Sequence, residues 1–163
     1  MPRFPANAAP AGRIRPARRG DLDAVERIER ERFSHPWSRD YFRAELDNGV
    51  AHLLVIESGR PAQVAGYLLF WRLGAELELH KIAVSAACGR RGLGERLLRH
   101  FLECGRAWGC ERAVLEVRAA NGAAVRLYEK HGFRLAGRRR EYYRQPVEDA
   151  LVYVRDFAEG PGL

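Results

Sequence analysis

The stretch from Leu79 to Arg99, LHKIAVSAACGRRGLGERLLR, constrains the fold of this 163-residue chain more than any other. The apolar run Ile82-Ala83-Val84 is typical of the end of a buried strand, and a basic, glycine-rich turn follows it over residues 89–94. Apolar residues then recur every three or four positions, which predicts an amphipathic helix that begins at the turn. The recurring residues are Leu93, Leu97, Phe101, Cys104 and Trp108. The rest of the chain must pack around this strand, turn and helix.

The turn has the chemistry of an anion-binding site. The first amides of a helix have no acceptor within the helix, and the helix dipole places partial positive charge there. Gly92 and Gly94 let a ligand approach the backbone closely, and Arg90 and Arg91 add two full positive charges. The expected ligand is therefore a phosphate or a pyrophosphate group.

Three kinds of glycine-rich phosphate turn compete for this sequence. A P-loop requires Gly-Lys-Ser/Thr, but Gly94 is followed by Glu95 and Arg96, so that motif is absent. A dinucleotide fingerprint requires G-x-G-x-x-G/A, and Leu97 occupies its third small position. That alternative stays open, because Glu116 lies about 20 residues downstream, where a ribose-binding acid is expected. The third candidate is the pyrophosphate turn of the GNAT acetyltransferases.

Residues 82–84 followed by Arg90-Arg91-Gly92-Leu93-Gly94 resemble the acyl-CoA motif of that superfamily, Q/R-x-x-G-x-G/A. The first motif position falls on Gly89, where the family has Gln or Arg, although Arg90 beside it can supply the charge. The resemblance implies acetyl-CoA as co-substrate. The cofactor contacts that it implies are Ile82, Ala83, Val84, Arg90, Arg91, Gly92, Leu93, Gly94 and Glu95.

The remaining segments predict a mixed α/β (α+β) architecture. Strands are predicted over residues 14–17, 50–57, 63–73, 76–84, 113–117, 133–143 and 149–155, and helices over residues 22–33, 38–46, 93–108 and 121–131. This order is that of the GNAT fold, which implies a mixed, mostly antiparallel central sheet flanked by helices. We expect a single domain over residues 13–157, a disordered tail over residues 1–12 and a loose tail over residues 158–163.

Helix ends and faces are predicted from caps and apolar stripes. Asp21, Ser38 and Asn121 precede three of the helices and are predicted N-caps. In the short second helix, Tyr41, Phe42 and Leu46 are expected to face the core.

Glu116 is a candidate general base. It is the one charged residue in the run Ala113–Val117, so its carboxylate is expected at a partly dry position. Desolvation would raise the pKa of this carboxylate, as a general base at neutral pH requires. The alternative is a structural acid paired with a neighbouring arginine such as Arg118.

Tyr128 is a candidate general acid. It lies seven residues after Asn121, on roughly the same face of the helix, where its phenol could protonate a leaving thiolate. The alternative is a core aromatic side chain that packs beside Val125 and Phe133.

A second resemblance narrows these roles. The motifs Leu115-Glu116-Val117-Arg118, Leu127-Tyr128-Glu129 and Gly132-Phe133, with Asn121 between the first two, are similar to those of the RimI branch of the superfamily. That branch acetylates the N-terminal alanine of the eighteenth protein of the small ribosomal subunit. The resemblance implies Glu116 as the base, Asn121 as an acetyl-CoA contact and Tyr128 as the acid that protonates departing coenzyme A.

Two further segments resemble the peptide site of the same branch. His35-Pro36-Trp37-Ser38 is similar to its P-W-S segment, and residues 140–143 with 148–150 are similar to its R-N-Y-Y…E-D-A hairpin. The resemblance implies that Trp37, Tyr142 and Tyr143 wall the peptide site, and ordinary packing is the alternative for each. Glu141 replaces the family's Asn and the hairpin loop is shorter, so a lysine, polyamine or antibiotic amine stays open as the acceptor.

Composition bounds the partners. Lys and Arg total 28 against 21 acidic residues, and this net charge of +7 favours nucleic acid, ribosomes or a phosphorylated cofactor, or serves solubility alone. A non-catalytic acyl-CoA sensor and an RNA- or ribosome-binding module are the alternatives from another class. The three cysteines and five histidines have no metal or disulfide spacing, and we see no signal or membrane-spanning segment. We expect a cytoplasmic monomer or weak dimer without metal, membrane or direct nucleic-acid binding, acting on a protein N-terminus.

Overall fold

The computed structural model describes residues 3–5 and 12–157. Within these ranges, seven strands and four helices follow each other, with short 3-10 turns at Arg19–Asp21 and Ala86–Cys88. The elements are β1 (Ile14–Pro16), α1 (Leu22–Arg32), α2 (Arg39–Leu46), β2 (Ala51–Ser58), β3 (Gln63–Leu73), β4 (Glu76–Val84), α3 (Leu93–Ala107), β5 (Arg112–Arg118), α4 (Gly122–Lys130), β6 (Arg134–Arg144) and β7 (Val147–Asp156). This order matches the predicted one.

One seven-stranded sheet runs through the molecule in the order β1-β2-β3-β4-β5-β7-β6. All neighbouring strands are antiparallel except β4 and β5, which pair in parallel because α3 connects them as a crossover. The prediction of a mixed, mostly antiparallel sheet flanked by helices is confirmed.

The helices cover both faces of the sheet. On one face α1 and α2 bury Leu22, Ile28 and Phe42 against the sheet. On the other face α3 buries Leu97 and Phe101, and a large apolar cluster joins them to α4 and β5. Burial of these side chains is the main favourable term for the fold, at roughly 25 cal/mol per Å² of apolar surface.

The parallel strands β4 and β5 part before their ends. Their pairing runs from Glu76 opposite Arg112 to Leu79 opposite Leu115 and stops there. A bulge in β4 follows at once, since Leu69 and Phe70 of β3 pair with Lys81 and Leu79. Beyond it β4 continues to Val84 and β5 to Arg118, and among the described residues each has a strand partner on its outer side only. We call the resulting gap between residues 80–84 and 116–118 the cleft.

Two predictions about the helices are wrong. Asp21 does not cap α1, because its carboxylate instead accepts hydrogen bonds from Arg15, at 2.7 Å and 2.9 Å, and from the amide of Arg18. Tyr41 does not face the core: it is 46% exposed, and its ring packs against that of Trp37 with the ring centroids 4.2 Å apart. The N-caps of α2 and α4 do form, with Ser38 accepting from the amide of Tyr41.

The chain ends fall largely outside the described residues. The predictions for residues 158–163 and for most of residues 1–12 concern positions that the structure does not describe. Within residues 3–5, the carbonyl of Arg3 accepts from the indole of Trp108 at 3.0 Å, and Phe4 packs on His52, His100 and Trp108.

Candidate active site

The turn after β4 presents helix amides toward solvent. Gly92 precedes α3 with a left-handed φ of +72°, and no side chain caps the helix. The amide of Arg96 makes the first bond within α3, to the carbonyl of Gly92, so the amides of residues 93–95 remain available to a ligand. Arg90 also adopts a left-handed φ of +61°, and Arg90 and Arg91 are both exposed. This geometry suits an anion.

Glu95 lies in the first turn of α3, but its carboxylate is bound elsewhere. It accepts from Lys130 at 2.8 Å and from His131 at 2.9 Å, and it pairs with Arg99 at 3.2 Å. These contacts, Lys130 first, lower the pKa of Glu95 to about 2. Only the backbone of Glu95 can therefore serve an anion, while its side chain ties α3 to the end of α4.

The end of β4 forms one side of the cleft. Ala83 is buried under α1 and α2, and Ile82 and Val84 pack toward α3 on the opposite face. Because β5 no longer pairs with this part of β4, backbone groups on its inner edge can bind an extended ligand as a strand would. A chain-like cofactor anchored at the turn would lie along this edge.

Glu116 lies on the other side of the cleft, at a partly buried position. Its side chain is 28% exposed, and the Nε of Arg139 lies 3.0 Å from its carboxylate. The carboxylate is therefore partly dry, as expected, but β6 also brings a guanidinium to it, which the sequence did not predict. An arginine does pair with Glu116, but it is Arg139 and not Arg118, since Arg118 pairs with Glu148 at 3.7 Å.

Tyr128 is buried in α4 and packs edge-on against Phe133, with ring centroids 5.8 Å apart. Burial, with a smaller effect from Tyr143, raises the pKa of Tyr128 to about 12. The phenol therefore keeps its proton across the physiological range. Core packing and proton donation, which the sequence offered as alternatives, are compatible in this geometry.

Tyr143 links the two candidate residues. Burial raises the pKa of Tyr143, and the negative charge of Glu116 raises it further. Its ring lies under the guanidinium of Arg118 at 4.0 Å and meets Tyr142 edge-on at 5.2 Å. The hairpin of β6 and β7 thus brings Tyr143 near the carboxylate of Glu116, with Tyr142 packed against Tyr143.

The predicted P-W-S wall meets this hairpin. The Nε2 of His35 lies 2.9 Å from the carbonyl oxygen of Gln145, which joins the loop between α1 and α2 to the turn between β6 and β7. Trp37 is half-buried in that loop, and Tyr142 is 48% exposed on the hairpin. The three predicted peptide-binding residues therefore belong to two segments that touch each other.

Asn121 caps α4, as predicted, with its side-chain oxygen accepting from the amide of Ala124 at 3.2 Å. Cys104 belongs to the core, as predicted, and burial raises the pKa of its thiol to about 12. No cluster of three or more His, Cys, Asp or Glu side chains that could hold a metal occurs in residues 3–5 and 12–157. Among the same residues, no helix is long and apolar enough to cross a membrane.

Three charged residues that make ion pairs at or near the site were not singled out from the sequence. Arg139 reaches Glu116 only through the register of the hairpin, and a run of three arginines gives no sign of which one does so. Lys81 and Glu29 pair at 2.6 Å although 52 positions separate them. For Lys81 the available signal was a charged residue beside the apolar run Ile82–Val84, whereas Glu29 stands among other charged residues of α1.

Comparisons with known proteins agree with this geometry. Residues 22–133 match the acetyltransferase (GNAT) family. The N-alpha-acetyltransferase RimI of Mycobacterium tuberculosis is 37% identical over 144 residues, which cover 85% of this chain and 88% of the relative.

Solved structures give the same result. The ribosomal-protein-S18-alanine N-acetyltransferase of Escherichia coli superposes with a TM-score of 0.83 at 29% identity, over 93% of this chain and 97% of that one. NAA60 of Arabidopsis thaliana, solved with acetyl-CoA, shares the fold at 18% identity, with a TM-score of 0.79 over 90% and 99% of the two chains. Between the two ligands that the turn left open, these matches favour an acyl-CoA over a dinucleotide. The chain belongs to the GNAT acetyltransferase family and, within it, is RimI-like.

Proposed function

We propose that this protein transfers an acetyl group from acetyl-CoA to the α-amine of an N-terminal alanine, on the small-subunit ribosomal protein S18. The observation that carries the proposal is the parting of β4 and β5 after Leu79 and Leu115. The anion-binding turn leads out of one strand, and Glu116 lies on the other. The name of the Escherichia coli structure supports the choice of acceptor.

The cofactor would enter the cleft with its diphosphate on the amides of residues 93–95, supported by Arg90 and Arg91. Its pantetheine arm would follow the inner edge of Ile82–Val84, and Asn121 would contact it from the start of α4. An amide of β4 would stabilise the oxyanion that forms on the thioester carbonyl.

Proton transfers complete the mechanism. An α-amine has a pKa of roughly 8 and must lose a proton before it attacks. Glu116 would accept this proton, directly or through a water molecule, when the amine competes with Arg139 for the carboxylate. Attack forms the C–N bond, and collapse of the intermediate breaks the C–S bond while the nitrogen releases its second proton to solvent. Tyr128 protonates the departing thiolate and regains its own proton from solvent. Cys104 is not required as a nucleophile, in keeping with its buried, protonated thiol.

The part of the site that would hold the acceptor, which we call the acceptor groove, suits a peptide terminus better than a polycation. Trp37, Tyr142 and Tyr143 give it an aromatic rim. The guanidinium groups of Arg118 and Arg139 lie over the rings of Tyr143 and Tyr142 and would repel a polyamine there. A ribosomal protein as partner implies action in the cytoplasm, and a monomer or weak dimer suffices because one chain carries all the groups invoked here.

A panel of acceptors tests the proposal. The protein is incubated with acetyl-CoA and peptides that differ only in residue one, with spermidine, and with an N-terminally blocked lysine peptide, and free thiol is followed. We expect the alanine peptide carrying the S18 N-terminal sequence to react at least about tenfold faster, a difference of 1.4 kcal/mol in barrier. Fastest thiol release with spermidine or with the blocked peptide would contradict the proposed acceptor.

A further inference from the structure

A buried ion pair lies beneath the loop between α1 and α2. Glu29 of α1 is fully buried, and its carboxylate accepts from the Nζ of Lys81 at 2.6 Å and from the amide of Trp37 at 3.1 Å. It also accepts from the hydroxyl of Tyr67. The carboxylate of Glu29 thus connects α1, β3, β4 and the loop at one point.

The ammonium of Lys81 is held in an aromatic cage. It lies 3.9 Å from the ring centroid of Phe33 and 4.5 Å from that of Trp37, and its side chain is only 12% exposed. Cation–π contacts strengthen when the cation is desolvated, as it is here. Residues 33–38, which we call the acceptor wall, therefore rest on Lys81 through two rings and on Glu29 through one amide.

The position of Lys81 joins two functions of the site. Its backbone belongs to β4 directly after the bulge and directly before Ile82, where the acetyl group is proposed to lie. Its side chain extends from β4 to the acceptor wall, where it contacts the rings of Phe33 and Trp37. One residue therefore fixes the distance between the cofactor strand and the wall of the peptide groove.

We propose that Lys81 is a positioning residue for the acceptor peptide, acting through Trp37 and the acceptor wall; this inference rests on the proposed function. A buried ion pair contributes little net stability compared with apolar residues of similar volume, because desolvation offsets the attraction. What a paired and caged ammonium does supply is a directional contact that holds both rings in one orientation.

The variant Lys81→Met keeps an unbranched apolar side chain against the rings and removes the charge. We expect KM for the alanine peptide to rise at least about tenfold, the scale of losing a desolvated cation–π contact. KM for acetyl-CoA should stay within about twofold, because the turn and the inner edge of β4 are untouched.

Because Lys81→Met leaves the charge of Glu29 buried without its partner, a second variant is needed. Lys81→Met/Glu29→Gln removes both charges and retains a side-chain oxygen for the amide of Trp37. It should recover thermal stability while KM for the peptide stays raised. Leu102→Ala, a cavity variant in α3 on the opposite face, is the control for destabilisation alone.

Hydrogen exchange at the amide of Trp37 gives a readout that needs no acceptor. We expect faster exchange over residues 33–38 in both Lys81 variants and unchanged exchange there in Leu102→Ala. If the double variant restores both peptide KM and exchange protection, Lys81 acts only by balancing charge and the inference is overturned. If the wild type acetylates no alanine peptide, the proposed function fails. Faster exchange in the variants would still support the role of Lys81 in holding the acceptor wall in place.

Discussion

Removing the hydroxyl of Tyr128 isolates the proposed general acid. Among residues 3–5 and 12–157, no hydrogen bond to this hydroxyl is formed, so Tyr128→Phe leaves no partner unsatisfied. We expect the free energy of unfolding to change by less than about 0.5 kcal/mol, because the ring and its contact with Phe133 remain. The fold is therefore retained, and any loss of rate can be assigned to the missing proton donor.

The expected loss is large. General acid catalysis contributes roughly 10²- to 10⁴-fold, which corresponds to about 3–5 kcal/mol in the barrier. Because the pKa of Tyr128 is raised to about 12, the phenol is protonated throughout a range of pH 6 to 9. The ratio of wild-type to variant kcat should therefore not vary with pH in this range. Affinity for acetyl-CoA should stay within about twofold, since the cofactor contacts are elsewhere.

The assay is thiol release at saturating acetyl-CoA, with calorimetry for the affinity. Tyr153→Phe is the matched control: Tyr153 is another buried phenol of the same core, but its hydroxyl donates to Glu129 at 2.9 Å. It should lose stability by about 1 kcal/mol through that hydrogen bond and keep its kcat. A Tyr128→Phe protein that folds and turns over within twofold of wild type would refute the assignment.

Glu116→Gln should slow turnover by roughly 10²-fold or more and change the shape of the pH–rate profile; an unchanged profile would argue against a base at this position. Gly92→Ala should lower the free energy of unfolding by roughly 1–2 kcal/mol, because alanine is strained at a φ of +72°, and a thermal melt should show a lower Tm. Gly94→Ala is the control: its added carbon meets Val84 at an ordinary 3.8 Å, so it should melt like wild type. The hydrogen bond from Arg15 lowers the pKa of Asp21 in the folded protein. The ionised carboxylate therefore stabilises the fold fully at pH values above the ordinary carboxyl pKa of about 4, and this contribution is lost as the pH falls through the lowered pKa of the folded state. Melts from pH 7 to pH 3 should thus show a steeper acid loss for wild type than for Asp21→Asn; parallel curves would exclude this linkage.

The local patterns of the sequence were sufficient for most of the framework. Alternating and continuous apolar runs bounded by turn residues gave β3 and β4 with the bounds seen in the structure. The glycines and the apolar periodicity gave the start of α3, because both signals are encoded within one turn of chain. The wrong cap at Asp21 has a tertiary cause, since Arg15 on β1 competes for the same carboxylate.

The environment of the candidate site was less predictable. The ion pair of Glu116 depends on Arg139, which reaches it across β7 through the register of the hairpin, and local pattern carries no information on that register. Lys81 and Glu29 meet because α1 packs on the face of the sheet that Lys81 presents. Residues whose roles were inferred by resemblance lie on both sides of one cleft, and their side-chain partners could come only from the three-dimensional packing.

The central claim is that one cleft holds an acyl-CoA thioester between an anion-binding turn and a pair of proton-transfer groups. A crystal structure of the protein with acetyl-CoA tests it most directly. The account predicts the diphosphate on the amides of residues 93–95, the thioester beside Ile82–Val84, and its sulfur within hydrogen-bonding reach of the hydroxyl of Tyr128. A diphosphate bound away from this turn, or a thioester on the far side of β4 from Glu116 and Tyr128, would contradict it.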